Sequence, residues 1–239
     1  MVPKSIHQSN KITKMGIHRK EQIPHDISPS YALQFLKEGN FRFINNLKIN
    51  RDLLEQVNET QTGQWPFAAI LSCMDSRTSA ELIFDQGLGD IFSIRIAGNI
   101  VSPGILGSLE FATAIAGSKL ILVLGHTNCG AIKGACDNVQ FGHLTGLIQN
   151  IRPSVEAEST VKENRNSLNT EFVDSVAKLN VHHSVEQILN QSDVIRELVS
   201  KGEVGIVPAM YNVATGVVSF YQGQGPLEPA SNESVAQNA

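Results

Sequence analysis

An α/β fold is predicted, with a central, mostly parallel β-sheet flanked by helices and helical arms at the N-terminus. Three observations predict it. Two continuous apolar runs, FAAILS at 67–72 and LILVL at 120–124, have the length and content of strands buried on both faces. Helical patterns separate these runs from each other and from later strands, and that alternation belongs to parallel sheets. Residues able to do chemistry stand just beyond the strands, where sheets of this kind bind their ligands.

Residues 1–27 are polar and aperiodic and are expected to form a flexible arm. Ser28 suits a helix N-cap and Pro29 its first turn. Leu33, Leu36, Phe43 and Leu47 then recur near helical spacing, with Phe41 and Ile44 beside them. The apolar surface therefore exceeds one stripe, and such a helix suits contact with two bodies, its own core and a partner subunit. A short helix is expected over Leu53–Glu59.

After the first strand, a helix is expected over Ser79–Asp85 and a strand over Ile91–Ile94. Pro103–Ala116 reads as a helix with Leu106, Leu109, Ala112 and Ala116 as its inward stripe, ended by Gly117. Beyond the Leu120–Leu124 strand a helix begins after Asn128, and another covers Leu144–Ile151, closed by Pro153. Residues 154–170, rich in Glu, Asn and Ser, read as a surface loop. Phe172–Leu189 is a long amphipathic helix. Ser192 caps Asp193–Lys201, and Gly202 ends it. EVGIVPAMY and GVVSFY, joined by NVATG, read as a hairpin. The expected division is an arm at 1–27, a single domain at 28–225 and a disordered tail at 226–239.

Composition narrows the function. The 239 residues are 41% apolar and 18% charged, a globular balance that excludes a disordered or collagenous chain. With 19 basic against 23 acidic side chains the net charge is −4, so no basic face for nucleic acid is expected. No apolar run approaches the length of a membrane span. The first residues are basic but carry no apolar stretch of a secretory leader, so the cytosol is the expected compartment. Three cysteines, Cys73, Cys129 and Cys136, make no disulfide framework.

Cys73, His126 and Cys129 form the central constellation. Two thiolates and an imidazole suit zinc, and three protein ligands leave its fourth position open, a catalytic pattern. His-x-x-Cys lets one loop place two ligands as the chain turns into a helix. The alternative is ordinary buried cysteines with a satisfied histidine, but all three residues sit at carboxyl ends of expected parallel strands. Cys136, inside an expected helix, reads as a small buried residue. Asp75 and Arg77 share the first ligand loop. Asp75 could close the zinc site as a fourth ligand, or pair with Arg77 and accept a hydrogen bond from zinc-bound water. Zinc brings its water toward pKa ~7 and makes hydroxide available to attack a small electrophilic carbon.

CMDSR at 73–77, RIAGN at 95–99 and GHTNCGAIKG at 125–134 together resemble the β-class carbonic anhydrases, with the plant-like branch the nearer. The resemblance runs from about Ile27 to Tyr221. It implies reversible hydration of CO₂ to bicarbonate, one Zn²⁺ per chain held by Cys73, His126 and Cys129, and an Asp75–Arg77 catalytic dyad. It also implies dimers, or dimers of dimers, whose N-terminal helices embrace the neighbour. Gln64, Phe92 and Phe111 match substrate-pocket positions that reach across from the neighbouring subunit; Phe111 stands where tyrosine is frequent. Gly130 matches a glycine whose N–H faces the substrate. In another branch, bicarbonate closes the site from a pocket of tryptophan, arginine and tyrosine. Arg95 and Tyr211 match two of these, but Ile70 replaces the tryptophan, which favours the open form. Trp65 is expected in the core or an interface, His143 in solvent, and His182 and His183 on a surface or interface. Two further functions fit the same residues: hydrolysis of carbonyl sulfide or carbon disulfide, and a non-catalytic zinc-stabilised binding protein.

Overall fold

The computed structural model describes residues 27–228. The expected arm, except Ile27, and the tail beyond residue 228 lie outside the described residues. Five strands form one sheet: β1 (Ala68–Ser72), β2 (Ile91–Arg95), β3 (Leu120–His126), β4 (Gly205–Tyr211) and β5 (Val218–Phe220). Their order is β2-β1-β3-β4-β5. The first four run parallel, and β5 turns back on β4 as the hairpin expected from NVATG.

Helices cover the sheet on both faces. They are α1 (Pro29–Ile44), α2 (Leu53–Thr60), α3 (Ala80–Ile83), α4 (Pro103–Glu110), α5 (Gly130–Cys136), α6 (Gly142–Gln149), α7 (Arg152–Ala157), α8 (Thr170–Gln191) and α9 (Asp193–Ser200). Strand alternation sorts the core into two layers. Ala69, Leu71, Ile121 and Val123 face α8 residues such as Phe172, Val173, Val176 and Val181. Ala68, Ile70, Leu120 and Leu122 face Ala32, Leu33 and Leu36 of α1 and Ile83 and Phe84 at α3. Each fully buried aliphatic or aromatic side chain contributes roughly 1.5–3 kcal/mol. The second face has the thinner cover. Gly39 lets α1 press against it, since a Cβ there would lie 1.8 Å from the Phe84 carbonyl oxygen.

Caps form where the sequence places them. Ser28 Oγ accepts the Tyr31 N–H, and Ser192 Oγ accepts the Ile195 N–H. Four expectations need correction. The helix from Pro103 is not uniform: after Glu110 it widens into a π-helical turn, Phe111–Ile115. The buried stripe is Ile105 and Leu109 in the α-helical part, with Ala112 and Thr113 both inward in the wider turn, while Leu106 and Ala116 stay half-buried. Pro153 does not close a helix; it sits in the first turn of α7, where a missing N–H is harmless. The loop after it is shorter than expected, and within it Glu158 is buried against Arg165 Nη1 at 2.6 Å. Leu227 packs on the α1 face of the core, and a Cβ at Gly205 would lie 2.5 Å from it, so the chain stays attached beyond Gly225.

The N-terminal helices keep apolar surface outside. Phe41, Ile44 and Leu47 are exposed, as are Leu53, Leu54 and Val57, and α2 buries none of its residues. Asp85 ties this region to the body. Its buried carboxylate accepts Arg42 Nε at 2.5 Å, Arg51 Nη1 at 2.6 Å and the Ile49 N–H at 3.2 Å. Among the described residues no helix is long and apolar enough to cross a membrane.

Candidate active site

The parallel strands deliver their last residues to one end of the sheet. Cys73 follows β1 directly, His126 closes β3, and Cys129 is the N-cap of α5. Between the last two, Asn128 adopts φ +58°, a left-handed conformation asparagine tolerates. Its N–H donates to Asp174 Oδ1 at 3.0 Å, and its side-chain oxygen accepts from Lys133 Nζ. Thr127 is held by the Tyr211 carbonyl at 3.0 Å and by the Val213 N–H at 3.1 Å. The loop from His126 to Cys129 is thereby fixed on both sides.

Cys73, His126 and Cys129 are all buried, with one donor atom from each within 4.8 Å of the others. The two sulfurs stand 3.9 Å apart. Two thiolates on a tetrahedral zinc, at about 2.3 Å each, stand about 3.8 Å apart, so the pair fits that ion. His126 Nδ1 lies 3.0 Å from the Thr127 carbonyl oxygen, which can only accept, so Nδ1 carries the proton. Nε2 is left bare; it is buried and has no hydrogen-bond partner. A buried lone pair beside two thiols is unfavourable unless a cation takes it. The sulfurs are not equivalent. The hydrogen bond with Cys129 pulls Cys73 well below its ordinary value against its burial, with the Gly98 N–H adding to the pull. Cys129 is pushed up, first by the same bond and then by burial. Cys136 stands apart, and burial raises its thiol to about 11.

Asp75 and Arg77 meet as the shared loop suggests. Arg77 Nε lies 2.8 Å from Asp75 Oδ1 and Nη2 2.7 Å from Oδ2, and the Arg77 N–H adds a third donor at 3.0 Å. The guanidinium holds the Asp75 carboxyl far below the usual carboxylate range, despite partial burial. Asp75 Oδ2 is 4.0 Å from His126 Nε2. The carboxylate thus borders the donor cluster while both its oxygens stay engaged by arginine. Arg95 and Thr78 fix the backbone of this loop. Arg95 donates to the carbonyls of Cys73 at 3.3 Å and Asp75 at 2.6 Å, and Thr78 Oγ1 donates to the same two at 3.0 and 2.8 Å.

Gly98 also reaches the cluster. Its N–H donates to Cys73 Sγ at 3.3 Å. The turn holding it, Ala97–Asn99, places Gly98 at φ +69° and Asn99 at φ +43°. A Cβ on Gly98 would lie 2.7 Å from Ile151 Cδ1, which would have to shift, and the positive φ favours glycine as well. From α8, Asn180 Nδ2 donates to the Gly98 carbonyl at 2.8 Å, and Ser184 Oγ donates to the Asn99 carbonyl at 3.1 Å. Sequence reading missed these two residues. The available signal was a polar interruption of the apolar stripe made by Val176, Ala177 and Val181.

The remaining expected site residues are spread. Gly130 is exposed beside Cys129, and a Cβ there would meet nothing within 4 Å. Gln64 is exposed ahead of β1, at the opposite end of that strand from Cys73. Phe92 and Phe111 meet edge to face, ring centroids 6.2 Å apart. With Ile94, Gly104 and Gly107 they line a cavity of about 360 Å³ on the outer strand β2. Within one chain, then, Phe92 and Phe111 come together, but away from the sulfurs. Ile70 is core, and Tyr211 is buried at the end of β4. Trp65 is half-exposed rather than core, and His143 is exposed. His182 lies 5.2 Å from the Tyr221 ring, and His183 has a buried, unpartnered Nε2.

Known proteins match this arrangement. The model of the carbonic anhydrase family matches residues 68–218, from β1 to β5. Carbonic anhydrase 2 of Mycobacterium tuberculosis is 35% identical over 195 residues, covering 79% of this chain and 91% of its own. The β-carbonic anhydrase CafA of Aspergillus fumigatus superposes with a TM-score of 0.62 at 25% identity, covering 82% of this chain and 92% of its own. One of the tetrameric β-carbonic anhydrases of Sordaria macrospora shares the fold, with a TM-score of 0.61 at 23% identity over 72% of this chain and 92% of its own. Fold and sequence agree: this chain belongs to the β-class carbonic anhydrase family, whose enzymes are carbonate dehydratases.

Proposed function

We propose that this chain hydrates CO₂ reversibly to bicarbonate and a proton, with zinc held by Cys73, His126 and Cys129. The observation that carries the reading is the Asp75 carboxylate, gripped twice by Arg77 and only 4.0 Å from the bare Nε2 of His126. A bound zinc would supply water acidified to near neutral pH. The rest is the work of the chain. Asp75, turned toward Arg77, leaves the fourth position open and offers a hydrogen-bond acceptor that orients an attacking water. Arg77 keeps that carboxylate ionised and aimed. Arg95 and Thr78 hold the loop, so the acceptor stays in place between turnovers. Gly130 leaves space beside the ligands, and its N–H is assigned to a substrate oxygen.

The pocket wall is assigned to a second copy. Gln64, Phe92 and Phe111 stand too far along the sheet to serve their own cluster, whereas exposed apolar residues of α1 and α2 offer a surface for association. The Sordaria relatives are tetrameric, and a dimer or dimer of dimers is the assembly proposed here.

Stopped-flow CO₂ hydration on zinc-verified protein tests the function. Activity is expected at both about pH 7 and about pH 8.5, and Asp75→Asn should lower it roughly a hundred-fold while keeping zinc. Zinc-loaded protein inactive at both pH values would overturn the reading, and turnover of carbonyl sulfide or carbon disulfide by that protein would replace it. Activity confined to the higher pH would mean that Asp75 closes the site near neutrality.

A further inference from the structure

We infer that Asn180 and Ser184 are positioning residues for the metal centre, holding the Gly98 N–H on the Cys73 sulfur. The inference rests on the metal reading above and deepens it. Three features support it. The turn at 97–99 has two successive residues with positive φ, and only one of them is glycine. Such a turn relaxes unless its surroundings hold it. Two donors from α8, one helical turn apart, take the carbonyls of Gly98 and Asn99. They fix the two peptide planes that follow the one whose N–H meets sulfur.

The chemical setting of α8 makes the second feature. Phe172, Val173, Val176, Ala177, Val181, Val185 and Ile188 are buried along it, and Asn180 and Ser184 are almost fully buried among them. A buried amide or hydroxyl is unfavourable in such a stripe unless its hydrogen bonds are made, and both here are made to the same turn. The third feature is the thiolate itself. A sulfur accepting an N–H bond donates less charge to its metal. With two thiolates in the set, that withdrawal matters more than it would beside imidazoles. Asn180 touches no ligand; it acts through Gly98.

Cobalt-substituted protein gives a readout that a merely structural role would leave alone. In Asn180→Ala the thiolate-to-cobalt charge-transfer band should move to lower energy, and zinc should bind roughly ten-fold more weakly in chelator competition. Ser184→Ala should move both in the same direction by less, which keeps the test open should Asn180→Ala fail to fold. Ser184→Thr retains the hydroxyl and should restore the wild-type band. Folded variants with an unmoved band and unchanged zinc affinity would overturn the inference while leaving the proposed function intact. Wild-type protein that takes up neither metal would overturn both.

Discussion

The two ends of the sheet differ in how complete they are. At the carboxyl end the loops are tied in place: Cys73 by Gly98, Asp75 by Arg77, and the loop carbonyls by Arg95. Away from it, Gln64 is exposed, Phe92 and Phe111 line a cavity, and α1 and α2 keep apolar side chains in the open. The first region is built from one chain's own hydrogen bonds. The second has apolar surface that one chain cannot cover. The cluster of Cys73, His126 and Cys129 thus lies where the chain is self-sufficient.

The most severe way to break this contrast is to remove a ligand. His126→Ala should leave the chain without zinc and lower hydration about a thousand-fold or more, because the metal's charge stabilisation goes with it. Metal analysis beside stopped-flow rates checks this; a variant that keeps zinc would show that the carboxyl end is not the metal site. A milder break is aimed at the other end. Phe111→Glu puts a charge into the cavity beside Phe92 and should dissociate the proposed assembly, lowering activity per chain roughly ten-fold with zinc retained. Sedimentation and activity across a dilution series read it out. A fully active monomer would show that one chain suffices.

The smallest effect concerns the arms. Burial pushes the Asp85 carboxyl up, but Arg42, Arg51 and the Ile49 N–H together bring it below its ordinary value. A depressed carboxylate stabilises the fold above its unfolded pKa, about 4, and that stability is lost as pH falls through the folded value. Asp85→Asn should therefore cost about 2 kcal/mol near pH 7 and progressively less below about pH 4. Denaturant melts at several pH values would measure the gap. A gap independent of pH would place the role of Asp85 in packing rather than charge.

Much of this was legible in the sequence. The runs at 67–72 and 120–124 are apolar on both faces, and only a strand between two layers requires that. The meeting of Cys73, His126 and Cys129 was legible because strands that end together put their following residues together. The π-helical turn at Phe111–Ile115 was not, since its side chains also suit an ordinary helix. Pro153 was misread because proline ends one helix and begins another with equal ease. Asn180 escaped notice because an asparagine in a long helix usually faces water. Its partner, the Gly98 carbonyl, is distant in sequence and adjacent only once α8 lies on the sheet.

The pairing of β1 with β3 sets Ser72 opposite Leu124, and the ligands follow from that alignment. A slip of one residue would carry Cys73 about 3.3 Å along the sheet and turn its sulfur to the other face, away from Cys129. An ion captured by all three donors thus selects chains whose strands have closed in the correct alignment. By mass action it also withdraws those chains from the unfolding pool. Metal supply would then govern how long each copy survives quality control as well as how fast it turns over, making abundance and catalysis answer to the same three side chains.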